Sequence, residues 1–228
     1  MRLKHNIIIV AFISIAFAFT KQDVPALPEG FVYVKSVIPD LDVELRYYTS
    51  NNFVGDTIDG YASNKLILTE QAAQALKLVK EELEVQNICL KVYDGYRPQR
   101  AVNHFMSWAT DLNDTINKQQ FYPDVAKKDL FKEEYIATRS GHSRGSTLDL
   151  TLTDGKTGVP LDMGSSYDFF GEQSWVDYDN ITEAQKANRQ LLQMVMLKHN
   201  FRNYPKEWWH FTLRWEPFPD TYFDFVVE

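Results

Sequence analysis

From Thr147 to Thr153 the chain alternates without a break: Leu148, Leu150 and Leu152 point one way, and Thr147, Asp149 and Thr151 the other. A period of two belongs to a β-strand with one apolar and one polar face. Three leucines on one face require a core behind the strand. The opposite face then holds Asp149 on a rigid support. Just upstream runs Ser140-Gly141-His142-Ser143-Arg144-Gly145, where Gly141 and Gly145 permit backbone conformations that fold the His142 imidazole back over the strand.

The rest of the chain supplies partners for that strand. Val43, Leu45 and Tyr47 alternate with charged neighbours and predict a half-buried strand, and Asn51 to Asn64 reads as a loop. Thr69 is a good N-cap for a helix through Ala72, Ala75, Leu76 and Val79 to about Leu83. Ile88 to Tyr93 predicts a strand that Gly95 ends, and Pro98 suits the first turn of a helix through Val102, Phe105 and Trp108. Asp111 to Lys132 reads as irregular. Thr182 and Gln185 form a capping box for a helix to His199, with Asn200 as its stop. Trp208 to Leu213 has strand character. This order predicts an α+β single domain with a central, mostly antiparallel sheet flanked by helices, the site lying on the sheet.

The first residues carry a separate signal. Arg2, Lys4 and His5 precede an apolar run from Ile7 to Phe19, which Lys21, Gln22 and Asp23 end. This is the three-part pattern of a secretory signal peptide, with Ala16 and Ala18 as its small-residue pair. Residues 1–20 are expected to be removed, leaving 21–228 as the working domain, exported to the periplasm or secreted. An uncleaved anchor is the alternative, but the run is short of the about 20 residues of a spanning helix. No later segment is apolar enough to enter a membrane. The lone cysteine, Cys89, excludes an internal disulfide and reads as a small hydrophobe in a buried strand. A formal charge of −7 and the lack of a basic stripe argue against a nucleic-acid partner.

Three segments carry chemistry. In the first, His142 and Asp149 are joined by a turn that lets them share one metal ion, although alone the segment is equally a surface loop with a capping Asp. The second, Glu207-Trp208-Trp209-His210-Phe211, sets a carboxylate and an imidazole among aromatic rings that exclude water and shift pKa values. Two histidines and one carboxylate form a familiar set for catalytic zinc, with a further Glu free to act as general base. Glu207 and His210 are three apart and would face opposite ways on a regular strand, so Glu207 must lie at an irregular start after Pro205. The third is Tyr93-Asp94-Gly95-Tyr96-Arg97-Pro98, where Arg97 could stabilise an oxyanion or simply pair with Asp94 or Glu134.

Taken together, Asp94-Gly95-Tyr96-Arg97-Pro98, Ser140 to Gly145 with Asp149, and Glu207-Trp208-Trp209-His210 resemble the D-alanyl-D-alanine dipeptidases of the VanX type, a family of zinc-dependent M15 peptidases. Tyr47 to Phe53, Met163-Gly164-Ser165-Ser166-Tyr167-Asp168 and Tyr222-Phe223-Asp224-Phe225 extend the resemblance over nearly all the chain from about Val32. It implies one zinc ion per chain, held by His142, Asp149 and His210. It implies Glu207 as the catalytic base, Arg97 as the group that polarises the scissile carbonyl, and Asp168 as the receptor for the substrate ammonium. Tyr47 and Ser140 match substrate-pocket residues, whereas His104 and His199 match no ligand position.

The implied activity is hydrolysis of a small dipeptide. The apolar N-terminus departs from a resistance enzyme acting on the cytoplasmic pool and points to wall-turnover fragments outside the membrane. Two other readings carry the same metal set: a zinc carboxypeptidase or endopeptidase acting on peptidoglycan stems, and a non-enzymatic zinc-binding module. Retention of both Glu207 and Arg97 argues against the second, because neither is needed to hold zinc.

Overall fold

The computed structural model describes residues 26–228, so the signal-peptide expectation lies outside the described residues. In chain order the elements are β1 (Phe31–Tyr33), β2 (Asp42–Val43), β3 (Ile67–Thr69), α1 (Glu70–Glu84), β4 (Ile88–Asp94), α2 (Gln99–Thr110), the single turn α3 (Lys118–Phe121), β5 (Thr147–Asp154), α4 (Glu183–Lys198), β6 (Phe201–Tyr204) and β7 (Glu207–Leu213). Five strands form the main sheet in the order β2-β4-β5-β7-β6. Only the β2–β4 pair is parallel. The expected α+β domain with a mostly antiparallel sheet is what the chain forms. A second, two-stranded sheet pairs β1 with β3, which the sequence did not announce.

Local chemistry explains the boundaries. The Thr69 side chain accepts from the Ala72 N–H and starts α1 where expected. The capping box of Thr182 and Gln185 is complete at α4, and Asn200 stops that helix in the left-handed region at φ 66°. Leu148, Leu150 and Leu152 are wholly buried, and β5 packs against α4, while α1 packs against β4. Both helices thus cover one face of the sheet. On the other face α2 sends Phe105 against Tyr47 and Phe53, with ring centroids 5.0 and 4.9 Å away.

Two expectations need correction. The strand through Val43, Leu45 and Tyr47 ends at Val43, and a 3-10 turn, Arg46–Tyr48, follows. Alternation there is real in burial but not in pairing: the Leu45 N–H is taken by the Asn64 side chain instead of a neighbouring strand. Cys89 lies on β4 but is half-buried, so it is not a full core residue.

The turn Gly141–Arg144 closes on Gly145, which has φ 83°. A Cβ at Gly145 would stand 2.2 Å from the Phe31 ring. Phe31 stacks on Phe218 and meets Phe223 and Phe225 edge-on, so that ring has little room to move. Gly145→Ala is therefore expected to cost about 2 kcal/mol or more, from backbone strain plus overpacking. Urea denaturation measures this, and near-unchanged stability would show that the turn yields.

Candidate active site

Strand register builds the centre of the site. Asp149 on β5 lies directly opposite His210 on β7, and Asp94 on β4 lies opposite Asp149 on its other side. Directly opposed residues hold their Cβ atoms about 4.5–5.5 Å apart. One row across three strands therefore brings together residues separated by 55 and 61 positions. A register shift between Val92 and Asp94 brings Asp94 into the row. A second shift, at Asn203/Tyr204, lets Glu207 and His210 reach the same side despite their spacing of three. The irregular start expected for Glu207 is this bulge. His142 arrives from the turn before β5, whose N–H is capped by the Ser140 hydroxyl.

Three donor atoms then converge. His142 Nε2 and Asp149 Oδ1 are 3.3 Å apart, His210 Nδ1 and Asp149 Oδ1 3.2 Å, and the two ring nitrogens 3.3 Å. Tetrahedral zinc with ligands at about 2.0–2.1 Å requires ligand-to-ligand edges of about 3.3–3.4 Å. Asp149 Oδ1 is buried and makes no hydrogen bond. Such an orphaned oxygen is costly unless a cation meets it. His142 Nδ1 lies 2.8 Å from the Gly95 carbonyl oxygen. Donation of its N–H there leaves Nε2 as the free lone pair, which is how a metal-binding imidazole is held. The donor set, its spacing and its unmet oxygen all fit a zinc ion. Among the described residues no other group of three or more such side chains is so placed.

The electrostatics say the same. Burial works to raise the Asp149 pKa, but His142 and His210 outweigh it and hold the carboxylate well below its usual range. Burial works to lower the His210 pKa, yet Asp149 and Glu207 push it up to about 9. Both directions mark a place that favours positive charge between the imidazoles and Asp149. Arg97 steadies the two neighbouring carboxylates. Its Nε and Nη2 are each 2.9 Å from Asp94 Oδ2, and Nη2 is 3.5 Å from Asp149 Oδ2. The pairing with Asp94 that the sequence left open is thus real, while Glu134 binds Lys206 instead. Burial raises the Asp94 pKa, with Arg97 and His142 opposing.

All eight side chains singled out in the sequence line one cavity of about 280 Å³: Tyr47, Arg97, Ser140, His142, Asp149, Asp168, Glu207 and His210. Phe53, Phe105 and Phe170 add apolar wall. Glu207 Oε2 stands 3.3 Å from His210 Nδ1. Asp168 is buried with φ 59°, and Tyr47 donates to its Oδ2 at 2.9 Å. Burial, followed by the charge of Asp149, pushes the Asp168 pKa well above the carboxylate range. His104 and His199 sit away from the cavity, in contact with Asp59 and Glu82.

Sequence reasoning missed several supporting residues. Tyr61 donates to Asp94 Oδ1 at 2.6 Å from a loop position that only a single bridge to Val227 orders, and no local pattern marks it. Tyr167 donates to Asp149 Oδ2 at 3.1 Å and lies 3.4 Å from the Tyr47 hydroxyl. Its place beside Asp168 in a quoted motif was the available signal.

The chain matches the family model described as D-ala-D-ala dipeptidase (Peptidase M15) over residues 28–228. It is 38% identical over 199 residues to a D-alanyl-D-alanine dipeptidase of Enterococcus faecium, covering 87% of this chain and 98% of that protein. A D-alanyl-D-alanine dipeptidase of Streptomyces coelicolor is 39% identical over 197 residues, covering 86% and 98%. A solved structure of a vancomycin-resistance D,D-pentapeptidase VanY mutant with Zn(II) aligns at a TM-score of 0.43 and 15% identity, over 68% of this chain and 77% of that one.

The Asp94–Arg97–Asp149 cluster gives a direct test. Arg97→Ala leaves two opposed buried carboxylates without their guanidinium, at a cost of about 3–5 kcal/mol. Adding Asp94→Asn should recover part of that loss, since one of the two charges is gone. Urea denaturation of the single and double variants reads the coupling, and purely additive effects would show that Arg97 acts elsewhere.

Proposed function

The chain belongs to the D-alanyl-D-alanine dipeptidase family, and from that premise we propose that it is a zinc-dependent dipeptidase that hydrolyses D-alanyl-D-alanine to two D-alanines outside the cytoplasmic membrane. The observation that carries the zinc assignment is the triangle of His142 Nε2, Asp149 Oδ1 and His210 Nδ1 around an oxygen with no hydrogen bond.

Zinc held by His142, Asp149 and His210 would supply Lewis acidity, enough to lower the pKa of an attacking water toward about 7 and to polarise a carbonyl. Glu207, beside His210, takes the proton of that water and returns it to the departing amine. Arg97 faces the carbonyl oxygen and stabilises its negative charge as the tetrahedral carbon forms. Its rigidity comes from Asp94 and from its place over the Tyr47 and Phe105 rings, 4.9 and 5.4 Å from their centroids. Asp168 receives the substrate ammonium, held in position by Tyr47. A raised pKa in the free enzyme means Asp168 gains most from a cation that favours its charged form. The cavity, about 280 Å³, is at or below the small end of the usual range of about 300–1,000 Å³, which favours a dipeptide over a stem peptide.

A substrate panel tests the reading. With zinc, D-Ala-D-Ala should be cleaved and N-acetyl-D-Ala-D-Ala rejected, because acylation removes the ammonium and adds bulk at Asp168. Asp149→Ala should lose metal and turnover together. Glu207→Gln should keep zinc, measured by metal analysis, and lose about 10²–10⁴-fold in kcat. Equal rates on the free and acylated peptides would favour a carboxypeptidase instead.

The apolar run from Ile7 to Phe19 supports export, and the substrates met there are fragments of wall turnover. Protein isolated from its native host should begin between about Phe17 and Asp23. A soluble cytoplasmic chain that retains Met1 would overturn the location.

A further inference from the structure

A dipeptide carries a charge at each end, and the assignments above seat only the ammonium. The other end needs a cation. The arginines among the residues that line the cavity are Arg97 and the exposed Arg139. Arg97 is committed: its Nε and Nη2 lie on Asp94, Nη2 also approaches Asp149, and what remains of its guanidinium is assigned above to the scissile carbonyl. Lys206, near the same wall, is tied to Glu134 at 2.7 Å. Arg139 differs from both. Among the described residues its side chain enters no ion pair and no hydrogen bond, and it rests over the Tyr222 ring, 4.9 Å from the centroid. It immediately precedes Ser140, another lining residue, in the segment that leads to His142.

We propose that Arg139 receives the C-terminal carboxylate of the dipeptide, so that Asp168 and Arg139 together set the length of substrate the enzyme accepts. This rests on the dipeptidase reading and extends it to the second end of the substrate. A planar guanidinium offers paired N–H donors that match a carboxylate, which an ammonium cannot do. The Tyr222 face steadies the guanidinium before substrate arrives, so less freedom is lost on binding. The acidic lining from Asp149, Asp168, Glu134 and Glu207 would otherwise repel a carboxylate. An uncommitted cation is what allows one to enter. Peptides extended at the C-terminus present an amide at this position and lose the interaction.

The test compares D-Ala-D-Ala with its C-terminal amide on zinc-loaded wild type, Arg139→Ala and Arg139→Lys. Wild type should prefer the free acid. Arg139→Ala should lower kcat/KM for the acid by roughly 10- to 100-fold, mostly through KM, as expected for a charge-assisted contact made in both ground and transition states. The amide should be affected little, and Arg139→Lys should restore part of the loss on the acid only. Zinc content should be unchanged in both variants. An equal loss on acid and amide, or no loss on either, overturns the assignment while leaving the dipeptidase reading intact. Failure of zinc-loaded wild type to cleave either substrate overturns both.

Discussion

The Asp149 carboxylate, only 2% exposed, sets the terms for everything around it. A charge taken from water must be met by other charges or donors, or the fold loses several kcal/mol. Here each oxygen has its own company. Oδ2 receives the Tyr167 hydroxyl and the approach of Arg97, while Oδ1 faces two imidazole nitrogens. Arg97 in turn draws in Asp94, and Asp94 draws in Tyr61. Polar demand thus spreads outward from one oxygen pair through β4, β7, the turn before β5 and two loops. The leucine face of the same strand does the opposite work, anchoring β5 into the core so that the carboxylate cannot drift.

How much of this was legible in the sequence depends on the range of the forces involved. Thr69, Thr182 with Gln185, and the Leu148–Leu150–Leu152 face act within a few residues, and the structure has them where the pattern indicated. Five site residues, Arg97, His142, Asp149, Glu207 and His210, were marked by segments of distinctive chemistry, and Tyr47, Ser140 and Asp168 only by the family resemblance; all eight line one cavity. What could not be read was set by distant partners. Tyr47 lies in a 3-10 turn because Asn64, far along the chain, captures the Leu45 N–H that a longer strand would have used. The bulge that turns Glu207 toward His210 depends on pairing with β6, a strand whose four residues announce themselves weakly. Tyr61 serves Asp94 from a loop with no periodicity at all.

The residues around the cavity rest on two kinds of support. The three converging donor atoms and Arg97 are attached to strands or to turns pinned by backbone bonds, as where the Arg97 N–H reaches the His142 carbonyl. Groups assigned to the substrate's ends sit on irregular segments instead: Asp168 in the loop after Gly164, and Arg139 ahead of the Gly141–Arg144 turn. Rigid supports suit groups that must meet a transition state within a fraction of an ångström. Loops tolerate sequence change, so selectivity for the ends of a peptide can diverge while the reacting centre stays as it is.

The last residues of the chain reach back to β1, to the loop before β3 and to the turn before β5. Phe223 and Phe225 pack on Phe31, the Phe223 N–H bonds the Ser143 carbonyl, and Val227 pairs with Tyr61. His210 itself belongs to the penultimate stretch. During synthesis, then, His142 and Asp149 are made long before their third companion, and the turn that carries His142 is not strapped down until the tail has emerged. Over the 61 positions from Asp149 to His210 a nascent chain holds two of the three donors and no means of joining them to the last. Any metal that needs all three donors must wait until β7 has been made.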